Sequence, residues 1–268
     1  LELADRRIAA TFPGLREELI IPTQHNRVLC RKGLAGVEID CYSPEFRRKT
    51  QLLVHLREQR LAGAGVLLSR IEHTFKYRQS QLEEFLATLL EPVLDMRLQL
   101  AAARTGAEQE LVDFVRAHAL RLRILLERHA AAVPPEALRN KLVRDFFDDL
   151  RPAHGDLLVG RAQVLLRAVK NLVKKSFSPE FFFETAAVIE EARGLGAGIV
   201  IPHPEQFWPI LLADLDVDGI EVWNPQSREY TEFLIKVVDR QNRSRGGRPL
   251  LIFMGDDCHL GEKAKEQR

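Results

Sequence analysis

The stretch AGIVIPHP at residues 197–204 is followed by VDGIEVWN at 217–224 and by PLLIFMGDDCH at 249–259. Each stretch opens with an apolar run of strand length, and each closes on polar residues. Helical patterns separate the three runs, FWPILLADL at 207–215 and REYTEFLIKVVDRQNRS at 228–244. Strands that alternate with helices predict βαβ units and a mainly parallel sheet or barrel, which places this part of the chain in the α/β class.

The polar residues at the ends of these strands are of the kind that binds metal ions. His203 follows the first strand, Asn224 ends the second, and Asp257 and His259 follow the third. The carboxyl ends of parallel strands meet at one edge of a sheet, so we expect these side chains to converge. Neutral imidazole and carboxylate groups suit divalent metals, which activate water and polarise phosphoryl oxygens.

The remaining chain divides into a helical block and an N-terminal strand region. SPEFFFETAAVIEEARGLG at 178–196 predicts a helix that leads into the first strand, and 57–175 shows apolar residues at helical spacing. Before it, LIIP at 19–22 and GLAGVEID at 33–40 read as strands. QLLVHL at 51–56 is either a third strand or the start of the next helix. We therefore expect a helical insertion within an α/β domain.

Composition narrows the class of protein. Lys and Arg number 39 against 38 Asp and Glu, so the chain lacks the basic excess of proteins that coat nucleic acid. The three cysteines, at positions 30, 41 and 258, form no CxxC pair. This favours a reducing compartment, and no apolar run approaches the roughly 18–20 residues of a membrane span. We expect a cytoplasmic protein that does not interact with membranes.

Three motifs resemble the end of the PHP (polymerase and histidinol phosphatase) domain family. They are the His-Pro strand end at 203–204, the DGIEV strand at 218–222 and the Gly-x-Asp-x-His string at 255–259. Upstream, IIPTQHN at 20–26 is similar to the family's Thr-Asp-His-Asn strand end, with Gln24 in place of the acid. Gly36-Val37-Glu38-Ile39 looks like its Gly-x-Glu-Ile strand.

The resemblance implies a fold and an activity. The fold would be a distorted (β/α)7-like barrel, with residues 1–56 and 178–268 forming the barrel and 57–177 a helical insertion or cap. The activity would be that of a metal-dependent phosphoesterase, using divalent Mn, Zn or Fe. Its substrate would be a phosphorylated small molecule, a nucleotide or a nucleic-acid end.

The resemblance also implies the site residues. Asp257 and His259 would be catalytic, and His55 in QLLVHL is the candidate for a further family histidine, with His73 second. The metal ligands implied are His25, Glu38, His55, His203, Asp257 and His259.

One family feature is missing, and it leaves alternatives open. PHP domains begin with a strand bearing His-x-His, and this sequence contains no His-x-His. Truncation before Leu1 is the explanation we favour. The alternative is a catalytically degenerate PHP-like module that binds a protein or nucleic-acid partner through its helical insertion. A metal-dependent amidohydrolase on a similar barrel is a third hypothesis, which the strings DGIEVWN and GDDCH disfavour.

Overall fold

The computed structural model describes residues 6, 9–10, 13–14 and 19–255. The chain forms two compact units. The first combines Leu1–Thr74 with Phe182–Arg268, and the second is Phe75–Phe181. The sequence predicted a helical insertion at 57–177, whereas the second unit begins at Phe75 and ends at Phe181. Within the described residues, no helix has the length and apolar character required to cross a membrane.

The first unit contains a six-stranded sheet that curls into a half-barrel, in a mixed α/β arrangement. Its strands follow one another in the sheet in the order of the chain. They are β1 (Leu29–Arg31), β2 (Leu34–Ser43), β3 (Arg48–Arg57), β4 (Gly198–Ile201), β5 (Gly219–Trp223) and β6 (Leu251–Met254). The ambiguous QLLVHL segment is therefore a strand, and the three C-terminal strands lie where the sequence predicted them.

The three C-terminal strands pair in parallel, as predicted for this part of the chain, whereas the N-terminal strands do not. Only the pairs β4–β5 and β5–β6 are parallel, whereas β1, β2, β3 and β4 pair antiparallel. The connections explain this, because β1 and β2 are joined by the two residues Lys32 and Gly33, both with positive φ. Such a tight turn produces a hairpin, since a parallel crossover needs a dozen or more residues.

Two helices of the first unit pack on one face of this sheet, α7 (Thr185–Gly194) and α8 (Thr231–Ser244). They join a single apolar cluster with the strands, together with the first turns of α1 (Gly65–Leu90). Arg193 of α7 ties the β4–β5 connection, donating to Asp216 at 2.8 Å and to Asp218 at 2.6 Å. Asp218 in turn accepts from the backbone N–H of Ile199 at 2.7 Å, which fixes where β4 begins.

The second unit is helical, as predicted. Its helices, apart from the end of α1, are α2 (Asp95–Thr105), α3 (Gln109–Arg128), α4 (Lys141–Asp148), α5 (Arg151–His154) and α6 (Asp156–Lys175). They enclose an apolar cluster of their own, in which Phe85, Leu98, Phe147 and Leu165 are among the most buried side chains. A separate core is what an amphipathic helical block needs in order to bury its apolar stripes.

Two predicted helices are shorter than expected. Within 178–196 the chain forms a 3-10 turn at Pro179–Phe181, and the α-helix begins only at Thr185. The hydroxyl of Thr185 is hydrogen-bonded to the hydroxyl of Thr50 on β3 at 2.8 Å and donates to the carbonyl of Tyr42 on β2 at 3.0 Å. These bonds anchor the first residue of the helix to the sheet. FWPILLADL forms only a 3-10 helix, Trp208–Leu212, in which Pro209 lacks an N–H for helical bonding.

The two faces of the sheet have different chemistry. Along β2 and β3 the alternating residues Val37, Ile39, Leu52 and Val54 are buried in the apolar cluster. Their sequence neighbours point to the other face, where Glu38 and Gln51 meet. Because side chains alternate along a strand, polar residues at every second position line one surface of the sheet.

Gly36 allows another segment to cross this polar face. A Cβ at position 36 would overlap the carbonyl oxygen of Pro22 and lie 3.0 Å from methyl carbons of Ile21 and Thr23. Residues 21–23, predicted partly as a strand, therefore run directly over β2 without forming one. This close approach delivers the next residues, Gln24 and His25, to the edge of the sheet beside Glu38.

We predict that Gly36→Ala lowers the free energy of unfolding by about 1–3 kcal/mol, because the added methyl meets backbone that cannot rotate away. Urea unfolding followed by circular dichroism measures this. The matched control is Gly160→Ala inside α6, where an added Cβ has no neighbour within 4 Å. That control should stabilise the chain by about 0.5–1 kcal/mol. Equal effects of the two substitutions would contradict the close approach at Gly36.

Candidate functional site

The segment before β1 is anchored to β2 by backbone bonds that place His25. The N–H of Glu38 donates to the carbonyl of Gln24 at 3.0 Å, and the N–H of Asn26 donates to the carbonyl of Glu38 at 2.7 Å. The side chain of Asn26 exchanges two hydrogen bonds with Asp40, at 3.0 and 3.1 Å. His25 is thereby held beside Glu38, which lies on the polar face of β2.

The carboxylate of Glu38 is the meeting point of three side chains. His25 Nδ1 lies 3.2 Å from Oε2, and His203 Nε2 lies 3.3 Å from Oε1. Gln51 of β3 also donates from Nε2 to Oε1, and the same nitrogen is 3.4 Å from His25 Nδ1. Glu38 is 13% exposed and the two histidines are 26% and 16% exposed, so the group is shielded yet reachable from solvent.

His203 reaches Glu38 from the carboxyl end of β4, where it adopts a left-handed backbone conformation with φ 31°. Burial lowers the pKa of its imidazole. The hydrogen bond and charge of Glu38, with the charges of Glu221 and Glu205, outweigh burial and leave the pKa of His203 above its ordinary value. The surroundings of His203 therefore favour a cation at this position.

A second group of polar side chains lies behind His203. Glu221 of β5 accepts from Asn224 Nδ2 at 2.8 Å and from the backbone N–H of His203 at 3.3 Å. Burial raises the pKa of Glu221 to about 7, against the lowering effects of the Asn224 hydrogen bond and of His203. Asn224 Nδ2 also lies 3.4 Å from Oε1 of Glu205, whose Oε2 is buried with no hydrogen-bond partner among the described residues.

The spacing around Glu38 fits shared coordination of metal ions. Ligand atoms held about 2.0–2.2 Å from one ion lie roughly 3.0–3.5 Å from each other. The separations of Glu38 Oε2 from His25 and of Glu38 Oε1 from His203, 3.2 and 3.3 Å, fall in that range. Each oxygen faces a different imidazole. Among the described residues, no three His, Cys, Asp or Glu side chains form one group that could hold a metal ion.

The structure brings together some of the predicted site residues and not others. His25, Glu38 and His203 are brought together, from three separate segments of the chain. Asp257 and His259 lie outside the described residues.

His55 and His73 stand apart from this group. His55 is on β3, paired with Gly36 and Gly198, and its ring centroid is 6.0 Å from that of Phe253. The described contacts of the Glu38 carboxylate do not include it. His73 is on α1, with its ring 5.2 Å from that of Phe183.

Gln51 is the residue that sequence reasoning missed. It lies on the same strand as His55, four residues before it, and its Nε2 donates to the carboxylate beside which a histidine was sought. The β2–β3 register pairs Glu38 with Leu53, so Gln51 and His55 lie two residues to either side of that partner. The contact of Gln51 with Glu38 depends on this pairing and on the direction of the side chain, which the sequence does not show.

No protein-family model matches this chain, and no curated protein matches it significantly. A solved structure from Bifidobacterium adolescentis, described as a "putative metal-dependent phosphoesterase", is similar over 95% of this chain and 82% of its own. The sequence identity is 15% and the TM-score is 0.47. A likeness at this level does not identify a function.

We predict that His55 makes the fold sensitive to acid. Burial lowers the pKa of His55 from 6.5 to about 4. Between pH 6.5 and about 4, His55 is protonated in the unfolded chain but not in the folded chain. The free energy of unfolding therefore falls as the pH falls through this range. From pH 7 to pH 5 the native chain should lose about 1–2 kcal/mol that the neutral variant His55→Gln does not lose.

Urea unfolding of both proteins at the two pH values measures the difference. Because every other titrating group is common to the two chains, the difference isolates His55. Parallel losses in the native chain and the variant would show that His55 does not carry the acid sensitivity.

Proposed function

We propose that this chain is a metal-dependent hydrolase of phosphate esters, built on a distorted (β/α)7-like barrel of the PHP type. The observation that carries the proposal is the convergence of His25 and His203 on the two oxygens of Glu38. Imidazole nitrogens and a carboxylate from separate segments, at ligand-to-ligand spacing, form a mixed donor set that suits divalent Mn, Zn or Fe. Asp257 and His259 complete the proposed ligand set.

Each residue has a defined part in the proposed reaction. Glu38, His25 and His203 would hold the ions through carboxylate oxygens and neutral imidazole nitrogens. When bound, divalent ions would supply Lewis acidity, which makes water a nucleophile near neutral pH and polarises a phosphoryl oxygen. Attack by water in line with the ester bond would form a P–O bond and break the bond to the alcohol, and the proton lost by the water would pass to the leaving alcohol. Asp257 is the residue we assign to this proton transfer.

The proposal specifies the class of substrate, a phosphate ester, and not a particular compound. A phosphorylated small molecule, a nucleotide and a nucleic-acid end all present the phosphoryl group that this chemistry needs.

We predict that the purified chain retains Mn, Zn or Fe after exhaustive dialysis, and that Glu38→Gln and His203→Ala lose it. Replacing one shared ligand should weaken retention of both ions, since Glu38 contacts both imidazoles. Elemental mass spectrometry measures the metal content. Phosphomonoester, phosphodiester and amide substrates then test activity, which should fall at least about 100-fold in both variants and in Asp257→Ala.

The control is His129→Ala, which replaces an exposed histidine at the end of α3 in the other unit. It should retain the native metal content and activity. If the native chain neither retains metal nor takes it up on addition, the hydrolase proposal is wrong.

A second candidate function is a catalytically silent module that binds a protein or nucleic-acid partner through its helical unit. The observation that favours it is the pair of amides at the site, Gln24 in the segment that carries His25 and Gln51 against Glu38. Gln51 donates a hydrogen bond to the oxygen that a metal would use. Absence of metal uptake together with specific capture of a partner by the chain would support this function over hydrolysis.

A further inference from the structure

Glu221 occupies the space between two strand ends that carry predicted ligands. Its side chain is buried, and Oε1 accepts the backbone N–H of His203, which follows β4. On its other side the carboxylate lies against Gly255, which follows β6. A Cβ at position 255 would be 2.7 Å from Cδ of Glu221. One carboxylate therefore contacts the chain at both places, and Gly255 stands two residues before Asp257.

The contact with His203 bears on the direction of its imidazole. His203 has φ 31° and ψ 58°, a left-handed conformation that non-glycine residues adopt rarely. Such a conformation persists where surrounding groups hold it. The N–H bond to Glu221 is one of these, at 3.3 Å, and the conformation it supports directs Nε2 to within 3.3 Å of Glu38.

Asn224 fixes Glu221 in turn. Its Nδ2 donates to Glu221 Oε1 at 2.8 Å, and its Oδ1 accepts from the backbone N–H groups of Gln226 at 2.8 Å and Ser227 at 2.9 Å. Asn224 is itself buried. The turn after β5 thus fixes the side-chain amide of Asn224, and this amide fixes the carboxylate of Glu221. The carboxylate in turn accepts the backbone N–H of His203.

We propose that Glu221, held by Asn224, is a positioning residue that sets the orientation of the His203 imidazole toward Glu38 and the path of the chain at Gly255. It does not itself contact the Glu38 carboxylate through any described bond. The proposal rests on the proposed function in one respect only, the role of His203 as a metal ligand. The orientation of the ring is independent of that role.

A buried, hydrogen-bonded carboxylate could also serve stability alone, and two substitutions separate the possibilities. Glu221→Gln keeps an oxygen that accepts the His203 N–H, whereas Glu221→Leu has similar size and no acceptor. A purely structural carboxylate predicts that Leu lowers the free energy of unfolding, because the donors of Asn224 and His203 lose their acceptor, but that the folded variant keeps its His203 ring signals in place. A positioning carboxylate predicts that Gln preserves the geometry of His203 and Leu does not.

The experiment uses the full chain labelled with 15N-histidine and free of metal, with the His203 ring signals identified by their loss in His203→Ala. We expect Glu221→Leu to shift these signals and Glu221→Gln to leave them in place. In parallel, calorimetric titration with Mn2+ should show affinity weakened about 10- to 100-fold in the Leu variant, the usual effect of losing a residue that orients a ligand. The Gln variant should bind Mn2+ like the native chain.

A second comparison tests the contact at Gly255. Gly255→Ala places a methyl against the carboxylate and should shift the His203 signals in the native background. In a Glu221→Ala background the methyl has room, so the same substitution should cause no further shift. Equal shifts in both backgrounds would contradict the contact between Glu221 and the Gly255 segment.

The outcomes distinguish this proposal from the proposed function. Unshifted His203 signals in Glu221→Leu overturn the positioning role, whether or not the native chain binds Mn2+. Shifted signals without Mn2+ binding by the native chain support positioning and remove the hydrolase proposal.

If the Leu variant does not fold, Asn224→Asp serves instead. It keeps Oδ1 for the turn, loses the donor to Glu221 and should shift the His203 signals. Unshifted signals in that folded variant would equally overturn the proposal.

Discussion

The pairing register of β2 with β3 is the constraint on which the site depends. Ten residue pairs join the two strands, from Leu34 with Arg57 to Ser43 with Arg48. In this register the apolar residues at alternate positions reach the core, and Glu38 and Gln51 meet on the opposite face. A slip of one residue would exchange the two faces. The burial of the apolar residues therefore also brings Glu38 and Gln51 to one face, while separate hydrogen bonds place His25 and His203 beside them.

The carboxylates on this polar face are compensated in chemically different ways. Asp40 is fully buried and is matched by the ammonium of Lys49 at 2.6 Å and the amide of Asn26. Both partners donate hydrogen bonds to Asp40, so Asp40 is a structural charge whose unpaired burial would be costly. Glu38 is matched instead by imidazoles, which hold a proton or a metal ion at the same nitrogen. The two carboxylates therefore differ in role because of the side chains that contact them: those around Asp40 stabilise the fold, and those around Glu38 form the candidate site.

The sequence predicted the C-terminal elements well, because their signals are local. Strand-length apolar runs ended where expected, and the polar residue His203 follows β4 as predicted. The antiparallel half and the role of Gln51 were not predicted, since both depend on which strands pair and in what register. Likewise, the pattern of 178–196 predicted one helix, but the α-helix begins only at Thr185, which is hydrogen-bonded to β2 and β3. Long-range contacts leave no trace in local periodicity.

The chemistry of a primary amide explains how Gln51 is compatible with both functions considered for this chain. Its nitrogen donates a hydrogen bond to Glu38, beside the two imidazoles that approach the same carboxylate. Rotation of the amide about its last side-chain bond presents the carbonyl oxygen instead, and amide oxygens are ligands of hard cations. A histidine nitrogen either donates a proton or binds a metal, whereas the amide has its donor and its acceptor on separate atoms. The same side chain therefore suits a structural hydrogen bond to Glu38 and a ligand to a hard cation.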